Sequence, residues 1–160
     1  MGLDMYLFAE KYTLYRSWDE EGKDNEKFDK LVEFANLSEV IDKEQGCLSA
    51  YVKIQVGYWR KANAIHNYFV SKCADGVDEC QEIEVYRETL EHLRDICGQL
   101  TQSKDVEQAK ELLPPQSGFF FGSTEIDEWY FSYVEHTYNL LTKVLEKTPK
   151  DCDFIYRASW

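Results

Sequence analysis

Residues that break or staple a fold are scarce, with three prolines and eight glycines in 160 residues and five cysteines in no paired short spacing. So few breakers exclude a collagenous or low-complexity chain. The scattered Cys47, Cys73, Cys80, Cys97 and Cys152 exclude a disulfide framework and point to reduced thiols in the cytoplasm. Positive charge is short as well. Eighteen Lys and Arg against thirty Asp and Glu leave a net charge of -12, which repels phosphate backbones and argues against duplex nucleic acid as a partner. No stretch approaches the roughly eighteen apolar residues of a membrane span. The start MGLDMYLFAEKY has neither a basic nor a long apolar region, so no export and no membrane partner is expected. Tyr6 stands where N-myristoylation at Gly2 would want Ser or Thr. What is present, 44% hydrophobic and 15% aromatic residues, is the composition of a globular domain with a real core.

The apolar residues follow two periods. Leu3, Met5 and Leu7 alternate with Asp4, Tyr6 and Phe8 and predict a strand. Residues 48 to 56 predict a second, with Leu48, Ala50, Val52, Ile54 and Val56 on one buried face, and 154 to 160 a terminal third. Helical spacing appears at Phe28, Leu31, Val32 and Ala35, ending near Asn36. It returns at Ala62, Ile65, Phe69 and Val70, and again at Tyr86, Leu90, Leu93, Cys97 and Leu100. A short helix over 104 to 113 is stopped by Pro114-Pro115, and Ile126 to Leu145 keep the period for about six turns. Ser123 or Thr124 is the expected cap of that long helix, with Glu125, Asp127 and Glu128 at its positive end. The charged run from 18 to 26 reads as an exposed loop. The expectation is a single α+β domain, a small and mainly antiparallel sheet packed by three or four helices.

Two segments concentrate unusual side chains. Tyr58, Trp59, Arg60 and Lys61 stand where a strand gives way to a helix, with Asn63 and His66 within the next two turns. Strand ends of this kind are common ligand positions, and a paired Arg and Lys among aromatics can hold a flat anion by charge and stacking. The alternative is that the two cations pair with surface carboxylates while the rings pack inward. The second segment is Gln116, Ser117 and Gly118, three phenylalanines, then Gly122, Ser123 and Thr124. A helix N-terminus follows, where backbone amides can bind an anion, although the three nearby carboxylates compete for that position. Three residues between the glycines and no lysine exclude a Walker loop, and some of the phenylalanines must be buried. Cys73, Cys80, His92 and Cys97 lack zinc-knuckle spacing, no G-x-S-x-G elbow exists, and His136 reads as a core-edge residue. No metal or cofactor is expected.

At MGLDMYL, VGYWRKANAIHNYFV, LPPQSGFFFGSTEIDEWY and the terminal Tyr-Arg-Ala-Ser-Trp, the chain resembles a family of small uncharacterised proteins met in bacteriophage and prophage genomes, nearly end to end. The resemblance brings no reaction and no binding site. It implies a setting, the host cytoplasm, where accessory phage proteins act on host components and inhibition of bacterial immunity recurs. The expected function is a non-enzymatic binding protein that takes a small anionic, nucleotide-like molecule or a host protein. Two other readings stand beside it. One is an acidic nucleic-acid mimic that occupies a basic groove. The other is a small enzyme on a nucleotide or phosphate ester, with Arg60, Lys61 and His66 holding the anion and Glu125 or Asp127 as base or metal ligand.

Overall fold

The alternating segments are longer than their clearest stretches suggest. In the computed structural model, which describes residues 2–19 and 22–160, β1 runs Asp4–Arg16 and β2 runs Cys47–Arg60. β3 (Glu82–Val85) and β4 (Asp153–Ser159) complete a four-stranded antiparallel sheet in the order β2-β1-β4-β3. β3 pairs with β4 in the register Ile83 opposite Tyr156 and Val85 opposite Phe154, so four buried side chains share one face. Five helices accompany the sheet: α1 (Lys23–Phe34), α2 (Asn63–Cys73), α3 (Arg87–Ser103), α4 (Val106–Leu112) and α5 (Glu128–Lys147). This is an α+β fold. It has one strand, β3, that sequence periodicity did not indicate, while the five helices answer the five helical patterns, more than the three or four of the expected architecture.

Contacts gather into two compact units, residues 10–53 and the remainder of the chain. In the smaller unit α1 buries Phe28 and Val32, with the Phe28 ring 5.6 Å from that of Tyr15. The helix starts at Lys23, inside the run read as a loop over 18 to 26; Glu20 and Glu21 of that run lie outside the described residues. The early start has a polar cause. Asn25, in the first turn, is buried and accepts from the Arg16 backbone N–H at 2.9 Å while donating to the carbonyls of Arg16 and Asp19. A side chain that satisfies both groups of a strand end anchors a helical turn that no apolar period marks.

The larger unit holds the main core, built on Leu3, Met5 and Leu7 of the first segment, the apolar faces of α2, α3 and α5, and Tyr156. β2 departs from simple alternation. Its half-buried positions are Leu48, Ala50, Val52, Lys53 and Val56, whereas Gly57 and Trp59 are buried and Ile54 is 59% exposed. Burial therefore falls on even positions up to Val52 and on odd positions from Gly57. Gly57 lies in the strand interior. A Cβ there would stand 2.9 Å from Leu140 of α5 and 3.1 Å from the Leu7 Cβ. Close by, the buried Trp59 Nε1–H donates to Thr137 Oγ1 of α5 at 2.9 Å. At the other end of α5, Arg87 donates to the carbonyls of Leu145, Thr148 and Pro149, placing a cation where the helix dipole is negative.

His66 is 1% exposed. Its Nδ1 pairs with the Tyr156 hydroxyl at 2.7 Å and its Nε2 with Asp78 at 2.9 Å, and the Trp160 indole N–H also donates to Asp78. With both ring nitrogens engaged, this histidine fastens α2 to the terminal strand.

Two outcomes follow. Gly57→Ala forces a Cβ against α5 and is expected to destabilise the fold by about 1–3 kcal/mol in chemical denaturation. Burial raises the phenol pKa of Tyr68, Tyr130, Tyr133 and Tyr156 above the ordinary value of 10.0. The folded state thus favours the neutral phenols. Their contribution is full below pH 10.0 and is lost as pH rises beyond it, because the unfolded chain ionises first. Denaturation midpoints measured against pH should fall on that alkaline side, with the buried class giving tyrosinate absorbance only on unfolding.

Candidate functional site

β2 ends at Arg60 and the chain reverses at Lys61, a non-glycine residue at φ 56, before α2 begins. The reversal is held on two sides. The Lys61 N–H donates to the Leu3 carbonyl at 2.8 Å, and the Leu3 N–H donates to the Phe120 carbonyl at 3.2 Å. The start of the chain thus lies between the strand end and the 116–124 loop. Glycine is called for at Gly122, whose φ of 89 L side chains rarely adopt; it lies beside Lys61, to whose Cβ an added Cβ would come within 3.4 Å.

The loop closes from the other direction. Asn63, fully buried in the first turn of α2, donates its amide to the carbonyls of Phe121 at 3.2 Å and Ser123 at 2.7 Å. Phe121 folds back over Gly118, where even a Cβ would collide with its ring, and is buried edge-on against His66. Phe120 is half-buried and Phe119 is 94% exposed. The α5 cap is Asp127, which accepts from the Tyr130 N–H at 3.0 Å. This corrects the expectation of Ser123 or Thr124. Those residues stand too far ahead of Glu128 to reach its amides, and the Ser123 hydroxyl accepts from the Glu125 N–H instead.

Between the strand end, the loop and α5 lies a cleft of about 650 Å³, within the size range of small-molecule sites. Tyr58, Trp59, Arg60, Lys61 and Ala62 line one side, Gly122, Ser123, Glu125 and Asp127 another, and Trp129, Tyr130, Ser132, Tyr133 and His136 of α5 the third. Of the residues expected to bind ligand, Tyr58, Trp59, Arg60, Lys61 and Ser123 meet here. Asn63 and His66 do not line the cleft; both are buried behind it and position its walls. Gln116, Ser117, Gly118 and Thr124 lie outside the lining. Trp129, Tyr133 and His136 were missed as site residues. Their four- and three-residue spacing is a second stripe on α5, beside the buried stripe of Tyr130, Val134, Thr137 and Leu141.

Charge in the cleft is mixed. Arg60 is 60% exposed at its side chain with its Nε 4.0 Å from Asp4, a distance that gives weak pairing in water. The Tyr58 hydroxyl donates to the same Asp4 carboxylate, which raises the Tyr58 pKa and keeps the phenol neutral. Tyr133 also remains a neutral phenol because of burial. A neutral phenol can donate as well as accept. His136 Nε2 lies 3.3 Å from the Tyr58 carbonyl, which can only accept, so Nε2 is the donor of this contact. Trp129 is 80% exposed. Aromatic faces, two cations, phenol donors and a carboxylate are the equipment for holding a flat polar molecule. Among the described residues no three His, Cys, Asp or Glu side chains are placed to hold a metal ion, and no helix is long and apolar enough to cross a membrane.

Comparison with family models, curated proteins and solved structures found no match.

Asn63→Ala removes the donor to two loop carbonyls and is expected to lower stability by about 1–3 kcal/mol. Hydrogen exchange should show faster opening of residues 118 to 124, with α3 amides unchanged.

Proposed function

We propose that the protein is a small cytoplasmic binding protein of phage type that captures a flat, anionic, nucleotide-like molecule in this cleft and so counters a host defence signal. The observation that supports the reading is the presence of Arg60, Lys61 and the exposed Trp129 in one cavity of about 650 Å³. An exposed indole in water loses little by being covered and gains by stacking, while a neighbouring guanidinium and ammonium supply the charge an anion needs. The net charge of -12 makes this the exception on an acidic chain, so long-range steering of an anion is weak and the contacts inside the cleft carry the affinity. The phage setting comes from the sequence resemblance.

Native mass spectrometry of the chain purified from phage-infected cells is expected to show a nucleotide-sized adduct. Replacing Arg60 and Lys61 together with Ala should weaken retention by about tenfold or more, the worth of a charge-assisted contact. A bare mass with a stoichiometric host protein would overturn the reading and move the function to the acidic surface.

A further inference from the structure

We propose that Glu125 makes the cleft selective for guanine, so that its ligand is a guanine nucleotide; this rests on the reading of the cleft as a site for a flat anion. A site for a bare anion has no use for carboxylates, yet two face this one. Asp127 is occupied as the cap of α5. Glu125 is different. Its backbone N–H is fixed on Ser123 Oγ at 3.0 Å, while its side chain is exposed and joins no ion pair among the described residues. The main chain at Glu125 is therefore held in place while its carboxylate stays available.

An ionised carboxylate only accepts hydrogen bonds, and it is best used by two donors side by side. Among the common bases this picks out one edge. Guanine presents N1–H beside its 2-amino group. Adenine sets the N1 lone pair beside its amine, cytosine does the same with N3, and uracil has a single N3–H between two carbonyl oxygens. Against a carboxylate those lone pairs repel. Trp129 supplies a stacking face in the same cleft, a contact that every base accepts and that therefore adds affinity without choosing among them. Arg60 and Lys61 take the phosphate, and the cleft volume of about 650 Å³ has room for a mononucleotide.

Calorimetric titration of the full chain with GMP, IMP and AMP tests this. GMP is expected to bind about tenfold or more tighter than AMP, as one bidentate base contact gives, with IMP, which lacks the 2-amino group, between them. Glu125→Gln offers one donor and one acceptor in place of two acceptors, a pair that matches the adenine edge, so the GMP preference should be lost and AMP affinity should hold or rise; the residue is exposed and the fold is not at risk. Arg60→Ala should weaken all three alike. Equal binding of GMP and AMP by the native chain, or a GMP preference that survives Glu125→Gln, would overturn the guanine assignment and leave the cleft as an anion site. Absence of binding by all three would overturn the assignment too, and if no adduct is retained from cells either, the cleft reading falls with it.

Discussion

How closely α5 can approach the end of β2 decides the architecture around the cleft. Gly57 offers no Cβ where Leu140 crosses, and Trp59 then reaches across to donate its indole proton to Thr137, one buried bond in a dry interface. Beyond this contact the strand's last residues and the first turns of α5 line facing sides of the cleft. The cleft is the space between them. A bulkier residue at 57 would hold α5 away from the strand, and Arg60, Lys61 and Trp129 would no longer share one cavity.

The walls of that cavity rest on polar groups that water does not reach. Asn63 supplies two donors to the carbonyls of a loop that otherwise has few regular backbone bonds, and His66 is clamped between a phenol and a carboxylate beneath Phe121. Buried groups of this kind contribute specificity because each has one arrangement that satisfies it, and leaving one unpaired is costly. The exposed charges work differently. Arg60 and Lys61 remain at the surface of an acidic chain, and among the described residues Arg60 has only a distant ion pair and Lys61 none, which leaves them available to a ligand at little desolvation cost.

Much of the fold was legible from periodicity. The long apolar stripe of α5, the Tyr86 to Leu100 stripe of α3, the short helix stopped by Pro114-Pro115 and the terminal strand all lie where their patterns placed them, within a few residues. β3 escaped notice because Glu-Ile-Glu-Val alternates over four residues only, too few to stand out from chance. The start of α1 escaped because its anchor is a buried asparagine. β2 misled in its middle because alternation does not say which side of a strand is covered at each point, and here the buried positions pass from even numbers up to Val52 to odd numbers from Gly57. The cleft was half visible: its cations and strand aromatics were unusual for their position, whereas Trp129 and His136 were hidden in a helix whose core stripe drew attention from the stripe beside it.

Local chemistry along the chain was enough to set the α+β class, the element types and the two segments in which aromatic, basic and amide side chains gather. These depend on neighbours within a few residues, and sequence order carries that information. Which of those side chains face one another depends on how helices and strands separated by sixty residues or more pack, and on which polar groups are sealed from water when they do. That is why Asn63 and His66, adjacent in sequence to Arg60 and Lys61, became buried supports, while Glu125 and Trp129, far along the chain, became the opposite wall.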